Sequence, residues 1–358
     1  MLVTKDFLER VFEKAIFLGA SDIHFSTGRY PTLRVDGNLY PLENEKILES
    51  EDTDKLADLI LEDSNRKELL LKKRELDTSY DYKNKARFRI NIYFQRGALS
   101  LALRLIPSKI KTIDELNLPA SLHRFARLEQ GFILITGPAG HGKSTTMAAL
   151  VNEINCNRKE HIITIEDPVE YLFFQNKAII DQREVGFDTL DFIKALRSTL
   201  RQDPDVIMVG EMRDYESIAI ALTAAETGHL VISTLHTNSA SQTIDRIIDI
   251  FPAEQQNQIR IQLASVLAGV VSQRLLQKVN GGRIPACEIL INTPAVANTI
   301  REKRTHELDV IISTSSEDGM ILLNESLKNL FLQKKVSFNE ILRYSLNPKE
   351  LKLRLKIA

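Results

Sequence analysis

Eight consecutive residues, Gly137-Pro138-Ala139-Gly140-His141-Gly142-Lys143-Ser144, followed by Thr145, carry the first chemical signal in the chain. Glycines at this spacing let backbone N–H groups curl around a phosphate, and a helix starting beside them adds positive potential. Lys143 then reaches the β and γ phosphates of a nucleotide, and the Ser144 hydroxyl coordinates Mg²⁺. Acidic residues close two other apolar runs: Glu211 ends Asp205–Gly210, and Glu166 ends His161–Ile165 and opens Glu166-Asp167-Pro168-Val169-Glu170. A carboxylate at a strand's carboxyl end beside such a loop can polarise water for attack on a γ-phosphate. Glu211 is followed by Arg213 and Asp214, so it also fits a charge that merely marks a strand's exit. His229 and His236 bracket the run Leu230–Leu235; both fit the nucleotide edge, and both equally fit a packing role. His24 reads as structural. Arg87, Arg89, Arg96 and Arg104 sit far upstream of the loop, where a strand arginine ordinarily lines a solvated face, although phosphoryl transfer often uses an arginine supplied from elsewhere.

The elements that must position these groups divide near residue 110. Residues 21–106 show short alternating strands with polar helices between them. Residues 31–42 read as a hairpin around Asp36-Gly37-Asn38, and residues 86–106 as a second one turning near Gln95-Arg96-Gly97. Residues 52–75 are helical and heavily charged, and 107–119 read as a linker bracketed by Pro107 and Pro119. Beyond it, buried runs at 132–136, 161–166, 205–211 and 230–236 alternate with amphipathic helices. That rhythm predicts an α/β domain with a parallel sheet covered on both faces. The last hundred or so residues read as all helical, with one long helix from about Glu254 to Leu276.

Composition bounds the rest. The 358 residues are 43% hydrophobic and 27% charged, which supplies real cores and rules out disorder. Lys and Arg total 47 against 48 Asp and Glu, so no global basic field draws nucleic acid, and no such partner is expected. Two cysteines, Cys156 and Cys287, exclude a disulfide framework and a CxxC zinc module and fit a reducing compartment. No apolar run reaches the ~18 residues of a membrane span. Phe7, Leu8, Val11, Ala15, Ile16 and Leu18 predict an ordinary packed N-terminal helix, and the chain reads as a soluble cytoplasmic protein.

Taken together, the motifs resemble those of the secretion-type ATPase superfamily, most closely the PilT-like retraction ATPases of type IV pili. SDIHFSTGRYPTLRVDG is similar to the opening of that family's PAS-like domain, and ITGPAGHGKST to its Walker A segment. ITIEDPVEY looks like the Asp box, RQDPDVIMVGEMRD like Walker B, and TGHLVISTLHT like the His box. The resemblance implies a PAS-like domain over 1–106, a linker over 107–119, and a RecA-like ATPase domain with a helical C-terminal part over 120–358. It implies ATP and Mg²⁺, held at Gly137–Thr145, with Ser144 on the metal and Glu211 on it through water. Glu166 and Glu211 would be the catalytic and metal-organising acids, with His229 and His236 near the γ-phosphate. Arg89 and Arg104, fifteen positions apart, match arginines that reach the nucleotide from the N-terminal domain. The implied assembly is a homo-hexamer, peripheral at the inner membrane through a pilus platform protein and acting indirectly on pilin subunits. Residues 295–302, AVANTIRE, resemble the AIRNLIRE signature of retraction motors, departing at Ala297, where the family has arginine, and at Thr299, where it has leucine. The rival readings are an assembly or secretion ATPase of the same superfamily, a RecA-like nucleic-acid translocase, and a scaffold that binds nucleotide without hydrolysing it.

Overall fold

A computed structural model describes residues 3–35, 37–61, 63–83, 85–106 and 110–356. Asp36 of the expected first turn, and residues 107–109 at the start of the expected linker, lie outside the described residues. The chain forms two compact units, the first running to residue 109 and including Glu170–Leu172, the second comprising Ile110–Val169 and the chain from Phe173 onward.

The first unit opens with α1 (Lys5–Phe17), capped by the Thr4 hydroxyl, which accepts from the Phe7 N–H. Phe7, Leu8, Val11, Phe12 and Ala15 recur at helical spacing and are buried. Next come β1 (Asp22–Ser26), β2 (Thr32–Val35), β3 (Asn38–Pro41), α2 (Ser50–Leu61), α3 (Ser64–Lys73), β4 (Glu75–Tyr82), β5 (Ala86–Gln95) and β6 (Ala98–Ile106). Among the described residues they make one antiparallel sheet, ordered β3-β2-β1-β6-β5-β4. Along β5, buried Phe88, Ile90 and Ile92 alternate with the less buried Arg87, Arg89 and Asn91, so one face builds the core and the other is polar. The β5–β6 turn places Arg96 and Gly97 at φ +51 and +85, the conformation that two-residue hairpins favour.

The second unit starts with packed chain rather than a loose tether: Ile113 and Leu118 are buried. Its elements are α4 (Ser121–Ala126), β7 (Gly131–Thr136), α5 (Lys143–Asn157), β8 (His161–Glu166), β9 (Ile179–Glu184), α6 (Phe192–Thr199), β10 (Val206–Val209), α7 (Tyr215–Glu226), β11 (Leu230–Leu235), α8 (Ala240–Asp249), α9 (Ala253–Val266), β12 (Leu267–Gln277) and β13 (Arg283–Ile291). Five further helices close it: α10 (Pro294–Arg301), α11 (Leu308–Thr314), α12 (Leu323–Leu332), α13 (Phe338–Tyr344) and α14 (Pro348–Leu355). The sheet runs β13-β12-β7-β11-β10-β8-β9, parallel from β12 to β9, with β13 an antiparallel edge. Every residue of β7, β10 and β11 is buried, as a sheet covered on both faces demands.

The expected long helix from Glu254 to Leu276 does not form. Helix α9 ends at Val266, and the chain becomes strand β12, followed by β13. The segment LAGVVSQRLL is buried almost throughout, its polar Ser272, Gln273 and Arg274 included, so no periodicity separates a buried strand from a buried helix. Gly269 was the cue. A Cβ there would lie 2.4 Å from the Phe125 ring and 2.6 Å from the Leu290 carbonyl oxygen, so only glycine lets β12 lie against α4 and β13.

Candidate active site

The turn between β7 and α5 forms the expected phosphate loop. Gly137, Gly140 and Gly142 have φ of +141, +77 and +82, a region other residues rarely adopt. Gly142 caps α5, whose first residue is Lys143. Strand β12 braces the loop from behind. A Cβ at Gly137 would meet the Gln273 carbonyl oxygen at 2.4 Å, so β12 backbone approaches where a side chain would be. The Gln273 side chain donates to the His141 carbonyl (2.8 Å) and accepts from the Thr146 hydroxyl (2.7 Å). His141 Nδ1 accepts the Leu275 N–H at 2.9 Å. Burial, reinforced by Arg274, Lys143 and Arg283, lowers the His141 pKa. Its neutral ring thus fastens the loop to β12.

Parallel register brings the carboxyl ends of four strands to one edge. Thr136 pairs with Leu235, Val209 with Ser233, and Val209 with Ile165. Gly137, His236, Glu211 and Glu166 therefore follow strand ends on the edge where open α/β sheets bind ligands. Buried Lys143 Nζ donates to the carbonyls of Gly137 (2.8 Å) and Pro138 (3.0 Å) and lies 3.3 Å from His236 Nδ1. An ammonium only donates, so Nδ1 accepts and the His236 proton sits on Nε2, 3.4 Å from Glu211 Oε2. The other Glu211 oxygen pairs with Arg213. Lys143, His236, Glu211 and Arg213 thus form one chain of alternating donors and acceptors. Glu166 is buried at the end of β8, where one oxygen accepts from the Thr164 hydroxyl (2.7 Å) and the Gln182 amide (3.1 Å).

His229 is not brought to this edge of its own sheet. It precedes β11 at the amino edge of the sheet, where its carbonyl accepts the Gly131 N–H and its ring lies 2.9 Å from the Ala224 carbonyl. A six-residue strand separates it from His236 by roughly 20 Å, so the two histidines bracket the strand without sharing an edge. Arg89 and Arg104 lie directly opposite each other on β5 and β6. Like charges so placed repel, and Asp22 offsets them, accepting from Arg104 Nε at 3.0 Å with Arg34 at 4.0 Å. Gln273 and Arg274 were missed because their strand was read as helix.

Among the described residues, no cluster of three or more His, Cys, Asp or Glu cages an ion. Ser144 in the first turn of α5 and the Glu211 carboxylate nevertheless offer the hard oxygen donors that Mg²⁺ prefers when phosphates and water complete its shell.

A phosphate loop on a parallel sheet with acids at its carboxyl edge defines a P-loop nucleotide-binding protein, and residues 2–307 match the family described as type II/IV secretion system protein, to which the chain belongs. Within that family it is 46% identical over 317 residues to the type IV pilus retraction ATPase PilT of Pseudomonas aeruginosa, covering 87% of this chain and 90% of that one. It is 36% identical over 352 residues to the type IV pilus ATPase PilU of the same organism, covering 97% and 92%. A crystal structure of the pilus retraction motor PilT with bound ADP superposes with a TM-score of 0.90 at 45% identity, covering 96% of this chain and 98% of that one. No helix among the described residues is long and apolar enough to cross a membrane.

Proposed function

We propose that the chain is an ATP-hydrolysing motor that powers type IV pilus retraction, working as a ring of six copies on an inner-membrane platform protein and withdrawing pilin subunits through it. It works in the cytoplasm, at the inner-membrane surface. The observation that carries this reading is the continuous chain Lys143–His236–Glu211 at the mouth of the phosphate loop. The similarity to PilT over nearly the full length of both chains supports the coupling to pilus retraction.

In this mechanism the loop N–H groups between Gly137 and Thr145, other than at Pro138, and the Lys143 ammonium bind the β and γ phosphates of ATP. Ser144 would hold Mg²⁺ directly and Glu211 through water, and the ion would supply charge neutralisation at the phosphates. Glu211 orients the attacking water, and the Nε2–H of His236 holds the Glu211 carboxylate toward it. Glu166 fixes its side of the edge through Thr164 and Gln182. Arg89 and Arg104 supply positive charge to the transition state, the role of an arginine finger. His229 takes no part in its own subunit's chemistry.

The purified chain should release phosphate from ATP, and Glu211→Gln should keep ATP affinity within about threefold while slowing release at least a hundredfold, the scale of losing a positioned base. A cell lacking the gene should carry excess pili and not twitch. Loss of pili would refute the retraction role.

A further inference from the structure

The loop that carries His236 is not held by nucleotide-edge residues alone. Behind it, Arg274 is buried in β12, and its guanidinium donates through Nη1 to the Gln273 carbonyl (3.0 Å) and through Nη2 to both the Asn238 carbonyl (3.1 Å) and Asn238 Oδ1 (2.9 Å). A buried cation is retained only where it is hydrogen-bonded or paired, and here Nη1 and Nη2 meet main-chain and amide oxygens while the charge of Glu288 favours the cation. Two residues beyond Asn238, the Ala240 N–H that opens α8 donates to the buried Glu288 carboxylate of β13 at 2.7 Å. The neighbouring Gln273 braces the phosphate loop, as described above. One stretch of β12 therefore grips both walls of the site: Gln273 the phosphate loop, Arg274 the loop 236–239.

We propose that Arg274 is a positioning residue for ATP hydrolysis: its fork ties Asn238 to the strand that braces the phosphate loop and so keeps His236 in register between Lys143 and Glu211. This rests on the ATPase reading above. Lysine cannot replace it, because a single ammonium does not span the Gln273 and Asn238 carbonyls in the planar geometry of a guanidinium. Because Arg274 acts through His236, its effect belongs to turnover rather than to nucleotide capture.

Phosphate release and titration with a fluorescent ADP analogue, on the full chain, test this. Arg274→Met and Arg274→Lys should each lower kcat at least tenfold with nucleotide affinity within threefold of wild type. In a His236→Ala background, Arg274→Met should cost less than a further twofold, since the two changes break one device. Asn238→Ala, which keeps the main-chain acceptor, should lower kcat about threefold and stands in if the Arg274 variants do not fold. Unchanged kcat in a folded Arg274→Met or in Asn238→Ala overturns the proposal. So does full additivity with His236→Ala, or equal loss of affinity and kcat, either of which marks Arg274 as structural only. A wild-type chain that hydrolyses no ATP overturns the parent reading first, and is seen before any variant is measured.

Discussion

At the scale of single residues, the site is a set of groups whose environments leave them one role each. Lys143→Ala should remove the point charge that meets the β and γ phosphates and weaken ATP binding at least a hundredfold; near-normal affinity in an equilibrium titration would remove the phosphate-loop assignment. Glu288 offers a test of a different kind. Burial raises its pKa from an ordinary 4.5 to about 7, with Asp309 acting in the same sense and the Ala240 and Leu323 N–H groups and Arg274 opposing. A carboxyl raised on folding binds its proton more tightly in the native state, so the unfolded chain releases the proton first as pH rises. Native stability therefore falls between about pH 4.5 and 7, and the loss is complete above it. Glu288→Gln cannot ionise. Its unfolding free energy relative to wild type should shift in its favour by about 2.5 kcal/mol between pH 5 and pH 8, measured by denaturant titration at each pH. A constant difference across that range would mean that the carboxyl titrates normally. His229 shows the limit of reading chemistry residue by residue. Its spacing from His236 is plain in the sequence, but which end of a buried strand meets the ligand depends on strand direction in the sheet.

At the scale of elements, much was legible where local chemistry and periodicity agree. The glycines that need positive φ announce the turn between β7 and α5, and strict alternation along β5 announces a half-buried strand. Strand β9, the exposed edge whose Asp181 and Arg183 interrupt its apolar pattern, was not legible, nor was β12. In both, burial set by neighbours replaced a periodic signal. The β12 case has a direct check: Gly269→Ala forces a methyl into the Phe125 ring and the Leu290 carbonyl and should destabilise the second unit by about 3 kcal/mol in thermal or denaturant unfolding. A neutral substitution would mean that α4 does not press on this strand. The arginine row of the first unit makes a kinetic claim. The Arg104–Asp22 pair is solvent-exposed, so losing it costs the fold at most about 1 kcal/mol. Arg104→Ala should therefore melt near wild type yet lower kcat about a thousandfold, the lower end of what an arginine finger contributes. Unaltered kcat would leave the face-to-face arginines as solvated surface.

At the scale of the whole molecule, the proposed function requires hydrolysis to reach a partner, and α10 is the segment whose sequence resembles the retraction signature. Val296 and Ile300, four positions apart, are buried together with Ala297 and Thr299, and the helix packs on α9. The two non-conservative departures from the signature, at Ala297 and Thr299, thus lie on the buried side, where a small alanine and a threonine fit the packing. Arg301 and Glu302 are exposed at the end of the helix. Glu302 accepts from Asn298 and pairs with Arg304, contacts that lower its pKa and keep it charged. The departures therefore alter how α10 seats, while the charged pair it presents outward is retained. Exposed charges contribute little to folding, so Arg301→Ala with Glu302→Ala should leave melting temperature, ring assembly and phosphate release within about twofold of wild type. If those charges are what the motor offers its pilus machinery, cells carrying only this double variant should hydrolyse ATP normally yet fail to retract pili, scored as twitching-zone diameter and pilus number. Retained twitching would show that the outward charges are idle in this chain. Joint loss of hydrolysis and twitching would show instead that α10 belongs to the catalytic cycle through its packing on α9.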